Sequence, residues 1–146
     1  MVILPQITAE NARERTRLRG LIERLSDADW DRSVGSDWTL TTVLVHLAFW
    51  DQCALARLER WEQLGVAPAL VDVEVVNAAL GALARSIPPR VAADLALTGA
   101  EGVDAKVARL APVFAQAVAA AGQERTLRRA LHRGEHLDRV EEALRR

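Results

Sequence analysis

Residues of the kinds that usually carry chemistry are scarce in this chain. A single cysteine, Cys53, excludes an internal disulfide, and histidine occurs only three times in 146 residues. Charge of neither sign is in excess: 19 basic against 20 acidic side chains leave a formal net charge of −1, so no overall field draws in nucleic acid or anionic lipid. No apolar run approaches membrane-spanning length, and the N-terminal MVILPQITAEN has neither the basic region nor the long apolar region of a secretion signal. Internal repeats, linkers and low-complexity tails are missing as well. What is present is a composition that is 50% hydrophobic, enough to bury a real core and unlike that of a disordered chain. The expectation is one domain over residues 1–146, cytoplasmic, with neither a nucleic-acid nor a membrane partner.

The hydrophobic pattern is helical nearly throughout. Residues 8–26 open at a potential Thr8 N-cap and carry Leu18, Leu21, Ile22 and Leu25 at helical spacing. SDADWDRSVGSDW reads as a loop whose Trp30 and Trp38 cover one end of the bundle. A second helix runs from Thr39 to Leu64, with Val43, Leu47, Trp50, Ala54, Leu58 and Trp61 along one stripe and Gly65 placed to end it. A third spans DVEVVNAALGALARS, with a stripe of Val73, Val76, Leu80 and Leu83, until Pro88 and Pro89 interrupt it. Within it VDVEVV alternates like a strand, but it is too short and isolated to build a sheet. Residues 90–111 resume helical spacing through Leu95, Val103, Val107 and Leu110, either as a new helix or as a kinked continuation. Pro112 opens a further short run, and residues 125–145 form the last helix. The predicted fold is all-α, an antiparallel four-helix bundle.

Placed at about 100° per residue around the last helix, His132 and His136 fall on the margin of the stripe made by Ala130, Leu137, Val140, Ala143 and Leu144. Two imidazoles at i and i+4 point the same way, the spacing at which one metal ion accepts a nitrogen from each. Glu135 lies roughly 60–100° away from both and is a poor ligand candidate. The string also fits the inverted zinc-protease pattern H-x-x-E-H, but the ten residues after His136 do not reach a far downstream acidic ligand. A third ligand is needed, and the remaining histidine, His46, borders the core-facing stripe of the second helix. Taken alone, His46 reads as an ordinary core histidine; with all three facing one interior, a shared metal is the better reading. Three neutral histidines would leave a tetrahedral ion one open position, as in catalytic zinc sites.

WTLTTVLVHLAFWD together with LHRGEHLDRVEEAL resembles the DinB/YfiT-like metalloenzyme superfamily, in particular the N-terminal domain type of mycothiol-dependent maleylpyruvate isomerase. The resemblance implies a four-helix bundle whose metal is held by His46, His132 and His136, with Trp38 and Trp50 at flanking aromatic positions. It also implies a divalent metal, zinc or nickel, and transferase or isomerase chemistry on a small-molecule substrate with a low-molecular-weight thiol of the mycothiol or bacillithiol type as co-substrate. A metal-dependent hydrolase using the same ligands, and a non-catalytic metal-binding or interaction bundle, are the alternatives. Arg129, one turn before His132, and Arg57, three turns after His46, are candidates to bind a substrate carboxylate. Asp51, at about 140° from His46, is expected to face solvent or a neighbouring helix, with support of a ligand histidine the sharper alternative. Cys53 is expected as a small buried residue, and Glu101 and Asp104 as parts of a solvated face. Trp61 and the valine-rich third helix offer a surface on which a homodimer could form.

Overall fold

Thr39 starts the longest helix as its sequence suggests: its hydroxyl accepts the Thr42 N–H at 3.2 Å, and Gly65, at φ 88°, ends the element. The structure, a computed structural model, describes residues 1–68 and 70–146. Among these the elements are α1 (Leu4–Arg24), β1 (Ser33–Gly35), β2 (Trp38–Thr39), α2 (Leu40–Leu64), α3 (Val73–Ala84), α4 (Pro89–Ala108), α5 (Pro112–Ala120), α6 (Glu124–Leu127) and α7 (Arg129–Leu144). The fold is all-α, as expected, apart from one short hairpin, with seven α-helices among the described residues. No helix among the described residues is long and apolar enough to cross a membrane.

Four long helices form a ring, α1 against α4 and α7, α2 against α4 and α7. Two apolar clusters fill it. One joins Leu18–Leu25 of α1, Leu40–Ala48 of α2, Ala92–Ala100 of α4 and Leu137 and Val140 of α7; the other joins Ile7, Leu58, Trp61, Val103, Val107 and Leu127. These memberships give the directions: α1 is antiparallel to α2, while α2 and α4 run the same way because the chain returns between them, with α3 alongside the N-terminal half of α2, Asn77 bonded to Trp50 and Leu80 and Ala84 in the first cluster. The parallel pair sits close. A Cβ on Gly99 would meet the Ala48 carbonyl at 3.3 Å, so alanines and a glycine form the α2-facing side in the first half of α4; of the expected stripe Val103, Val107 and Leu110 are buried and Leu95 is exposed.

Several local expectations are corrected. α1 begins four residues before Thr8, with Pro5 preset for the first turn, because proline's missing N–H costs nothing there. Pro89 likewise opens α4 as a new helix. VDVEVV is helical from Val73, with Asp72 capping the Val75 N–H, and Val73 and Leu83 of the proposed stripe are exposed. Trp61 is buried inside the second cluster and contributes nothing to an outer surface. The last helix is not continuous: Arg128, at φ −90° and ψ 71°, leaves helical space between α6 and α7. The break is satisfied from α1, where the buried Asn11 carboxamide donates to Leu127 O at 2.9 Å and accepts Ala130 N–H at 2.8 Å.

Candidate metal centre

The hairpin and the start of α2 build one wall of the site. Gly35, Ser36 and Asp37 all take positive φ, turning the chain so that Trp38 lies over the histidines. Leu40–Ala48 are buried without interruption, and His46 is held among them. α7, antiparallel to α2, brings His132 and His136 from the opposite side. The ring centroids lie 4.5 Å (His46 to His136), 4.8 Å (His132 to His136) and 4.9 Å (His46 to His132) apart. One nitrogen from each ring falls within 4.8 Å of the others, and His46 Nε2 is 2.9 Å from His132 Nε2. Two nitrogens on a tetrahedral zinc lie about 3.3 Å apart, so small ring adjustments suffice to share one ion. The structure thus brings together the three histidines singled out in the sequence.

Burial governs their protonation. Desolvation, reinforced by the nearby His136, holds the His46 imidazole down at about 3, and desolvation with the Arg139 charge holds His136 at about 4. His132 is pushed lower still, by burial first and by the adjacent Arg129 guanidinium second. All three are therefore neutral near pH 7, the state in which imidazole ligates metal. A stability prediction follows from the sign of these shifts. Folded pKa values lie below the unfolded value of about 6.5, so between pH 6.5 and pH 3–4 the unfolded chain binds protons that the folded chain refuses. The histidine contribution is intact above pH 6.5 and declines as pH falls through that window. Thermal melts of metal-free protein are expected to show this acid-side loss, and a His136→Gln variant a shallower one; identical slopes would contradict it.

A histidine kept only for packing normally finds a partner for each buried nitrogen. His46 Nδ1 is buried without one among the described residues, and its Nε2 meets only another imidazole. Trp38 (4.8 Å between centroids) and Trp50 (6.3 Å) flank the ring, and Trp50 Nε1 donates to Asn77 Oδ1 at 3.1 Å. On the far side Arg129 Nη2 donates to His132 Nδ1 at 3.1 Å. A guanidinium has no acceptor, so neutral His132 carries its proton on Nε2 in this arrangement. As a neutral ligand through Nε2, His132 would carry its proton on Nδ1, and the Arg129 N–H would have to withdraw from that nitrogen.

The polar neighbours sort differently from expectation. Arg129 is buried and its Nε binds Asp51 at 2.8 Å, so this guanidinium is already engaged. Asp51 turns to neighbouring helix α7, fully buried, and also accepts from Arg133 Nε at 3.2 Å; it reaches His132 only through Arg129. Asp104 is no part of a solvated face: buried, it pairs with Arg133 at 2.7 Å and Arg15 at 2.6 Å. Glu101 is exposed and paired to Arg19, and Glu135 to Arg125. Arg57 lies 6.0 Å over the Trp50 ring and does not line the histidine cavity. Cys53 is half-buried and outside the cluster. Sequence reasoning missed Arg139, one turn beyond His136 on the cavity wall, and Arg133; the turn spacing was a usable signal for the first.

The histidines open on a cavity of about 730 Å³, walled by Val34, Trp38, Val43, Trp50 and Val73 and rimmed by Arg125, Arg129 and Arg139. That volume is ample for a small-molecule ligand. Three converging neutral imidazoles, one flank open to this cavity and no carboxylate in its lining fit a divalent transition metal with a free coordination position. Compared with known proteins, the chain matches a protein-family model, the mycothiol maleylpyruvate isomerase N-terminal domain, over residues 12–146. Neither the curated proteins nor the solved structures gave a match.

Proposed function

The chain belongs to the mycothiol maleylpyruvate isomerase N-terminal domain family, and from this premise we propose that it is a metal-dependent transferase or isomerase acting with a low-molecular-weight thiol. His46, His132 and His136 hold the ion, zinc or nickel, and the substrate occupies the cavity beside them. The observation that carries this reading is the meeting of three neutral imidazoles, from helices distant in sequence, at the floor of a cavity large enough for substrate. Bound there, the metal supplies a Lewis-acidic position at which a thiol ionises near neutral pH.

The chain's own residues do the rest. Trp38 and Trp50 exclude water from the two faces of His46 and give an organic ligand apolar walls. Arg129, fixed by Asp51, holds the plane of His132 while its Nε2 is free. Asn77, with its carbonyl oxygen taken by Trp50 Nε1, offers its amide N–H groups to the cavity that it lines.

Cobalt(II) substitution tests the thiol assignment without knowledge of the acceptor. Adding mycothiol or bacillithiol to the cobalt protein is expected to produce thiolate-to-metal charge-transfer absorption in the near ultraviolet, absent in a His132→Ala variant. A cobalt spectrum indifferent to thiol would remove the thiol chemistry and leave a metal-binding bundle.

A further inference from the structure

We infer that the ligand of this cavity is a small monocarboxylate with a flat apolar body, its carboxylate held by Arg139 and its other end directed at the histidines. The charge inventory of α7 points there. The helix carries four acids, and each is paired to another arginine: Glu135 to Arg125, Asp138 and Glu141 to Arg17, Glu142 to Arg146. Arg129 and Arg133 are consumed by Asp51 and Asp104. Arg139 is left as the one guanidinium of α7 with no ion pair or hydrogen bond among the described residues, and it lines the cavity one turn beyond His136.

The other two arginines at the rim are engaged, Arg125 by both oxygens of Glu135 at 3.1 Å and Arg129 by Asp51, which it shares with Arg133, and no acidic side chain lines the cavity. Arg139 is therefore the one rim guanidinium with no ion pair among the described residues. A single guanidinium matches one carboxylate, which it can bind by two parallel N–H···O bonds. A phosphate dianion would call for a second free cation, which the described lining does not supply, and the two helix starts in that lining are already engaged, α3 by the Asp72 cap on Val75 N–H and α7 by Asn11 on Ala130 N–H. Around that charge the surface is aromatic and aliphatic, from Trp38, Trp50, Val34 and Val73, which suits a flat hydrocarbon body.

This inference rests on the proposed function only in taking the cavity as the substrate site, and its test is arranged to separate the two. Benzoate, benzamide and phenyl phosphate are titrated calorimetrically, at fixed ionic strength, into metal-free and zinc-loaded protein. Benzoate is expected to bind both forms about tenfold or more tighter than benzamide, and tighter than phenyl phosphate. Arg139→Gln is expected to erase that preference, while the exposed control Arg60→Gln keeps it. A His132→Ala variant that loses zinc but still binds benzoate would separate the carboxylate site from the metal. Absence of benzoate binding, equal binding of benzamide, tighter binding of phenyl phosphate, or an unaltered preference in Arg139→Gln each overturns the inference. So does benzoate binding that appears only with zinc, since the carboxylate would then sit on the ion.

Discussion

Replacing His46 with alanine is expected to abolish the zinc response of this protein while leaving its metal-free fold largely intact. Wild-type protein at a zinc concentration a hundredfold above Kd should gain about 2.7 kcal/mol, and for a chain of this length that is a rise in Tm of roughly 5–10 °C. The ion depends on ligands from two helices, and His46 is the only one that α2 supplies. The pair on α7 alone makes a two-coordinate site, open to water on its remaining sides, so affinity should fall by at least about a hundredfold and the Tm rise at the same zinc concentration should vanish. The metal-free protein should change much less. His46 borders an existing cavity, so its truncation enlarges a space that is already open, and it removes a buried Nδ1 that has no partner among the described residues. Relief of that unsatisfied group, worth about 1–3 kcal/mol, offsets most of the lost packing. Metal analysis by mass spectrometry and paired melts with and without zinc decide the matter. Undiminished zinc stabilisation in His46→Ala, or none in the wild type, would dissolve the proposed centre.

That the three histidines meet was legible because helical period is local information. His132 and His136 lie four apart in one unbroken helix, and His46 borders an apolar stripe whose members Val43, Leu47, Ala54 and Leu58 are indeed buried. The break at Arg128 was not legible, since no glycine or proline marks it and its stabiliser, Asn11, lies at the other end of the chain. The first turn of the helix expected over residues 125–145 belongs to α6, but the relative placement of the two histidines survives because both lie beyond the break. In α4 and just after it the stripe is buried at Val103, Val107 and Leu110 but not at Leu95, where the close approach to α2 selects Ala92, Ala96, Gly99 and Ala100, small residues that a hydrophobic pattern weighs lightly. Trp38 reaches His46 through a turn in which Ser36 and Asp37 take left-handed backbone angles, a geometry that neither residue type announces as glycine does. Charges were read least well. Asp104 looks like a surface residue until Arg133 is brought against it, and the helical angle of Asp51 leaves open solvent or a neighbouring helix; a single sequence carries no sign of such pairing.

Those buried charges set the second large effect: Asp51→Ala is expected to cost about 3–5 kcal/mol of folding stability, lowering Tm by roughly 10 °C or more. Asp51 has no exposed surface and bonds two guanidinium groups at once, Arg129 Nε at 2.8 Å and Arg133 Nε at 3.2 Å. Arg133, equally buried, binds both oxygens of Asp104 at 2.7 and 2.9 Å and the Asn11 carbonyl at 3.1 Å. The network therefore ties α1, α2, α4 and α7 together in the middle of the bundle, at the junction between the two apolar clusters. Removing one carboxylate leaves two cations short of charge in a medium that water does not enter, and the loss exceeds anything a surface pair would produce. Arg17→Ala, which breaks the more exposed pairs to Asp138 and Glu141, should cost only about 1 kcal/mol and serves as the comparison. Asp51→Ala also leaves the Arg129 charge uncompensated beside His132, so zinc affinity of the folded variant, measured well below its melting point, should weaken about 10–100-fold. Asp51→Asn keeps the volume and one acceptor and should fall between wild type and alanine on both scales. A Tm within about 3 °C of wild type for Asp51→Ala would mean that water or a rearranged acid supplies the missing charge, and that the network does not hold the helices at the registry on which the histidine convergence depends.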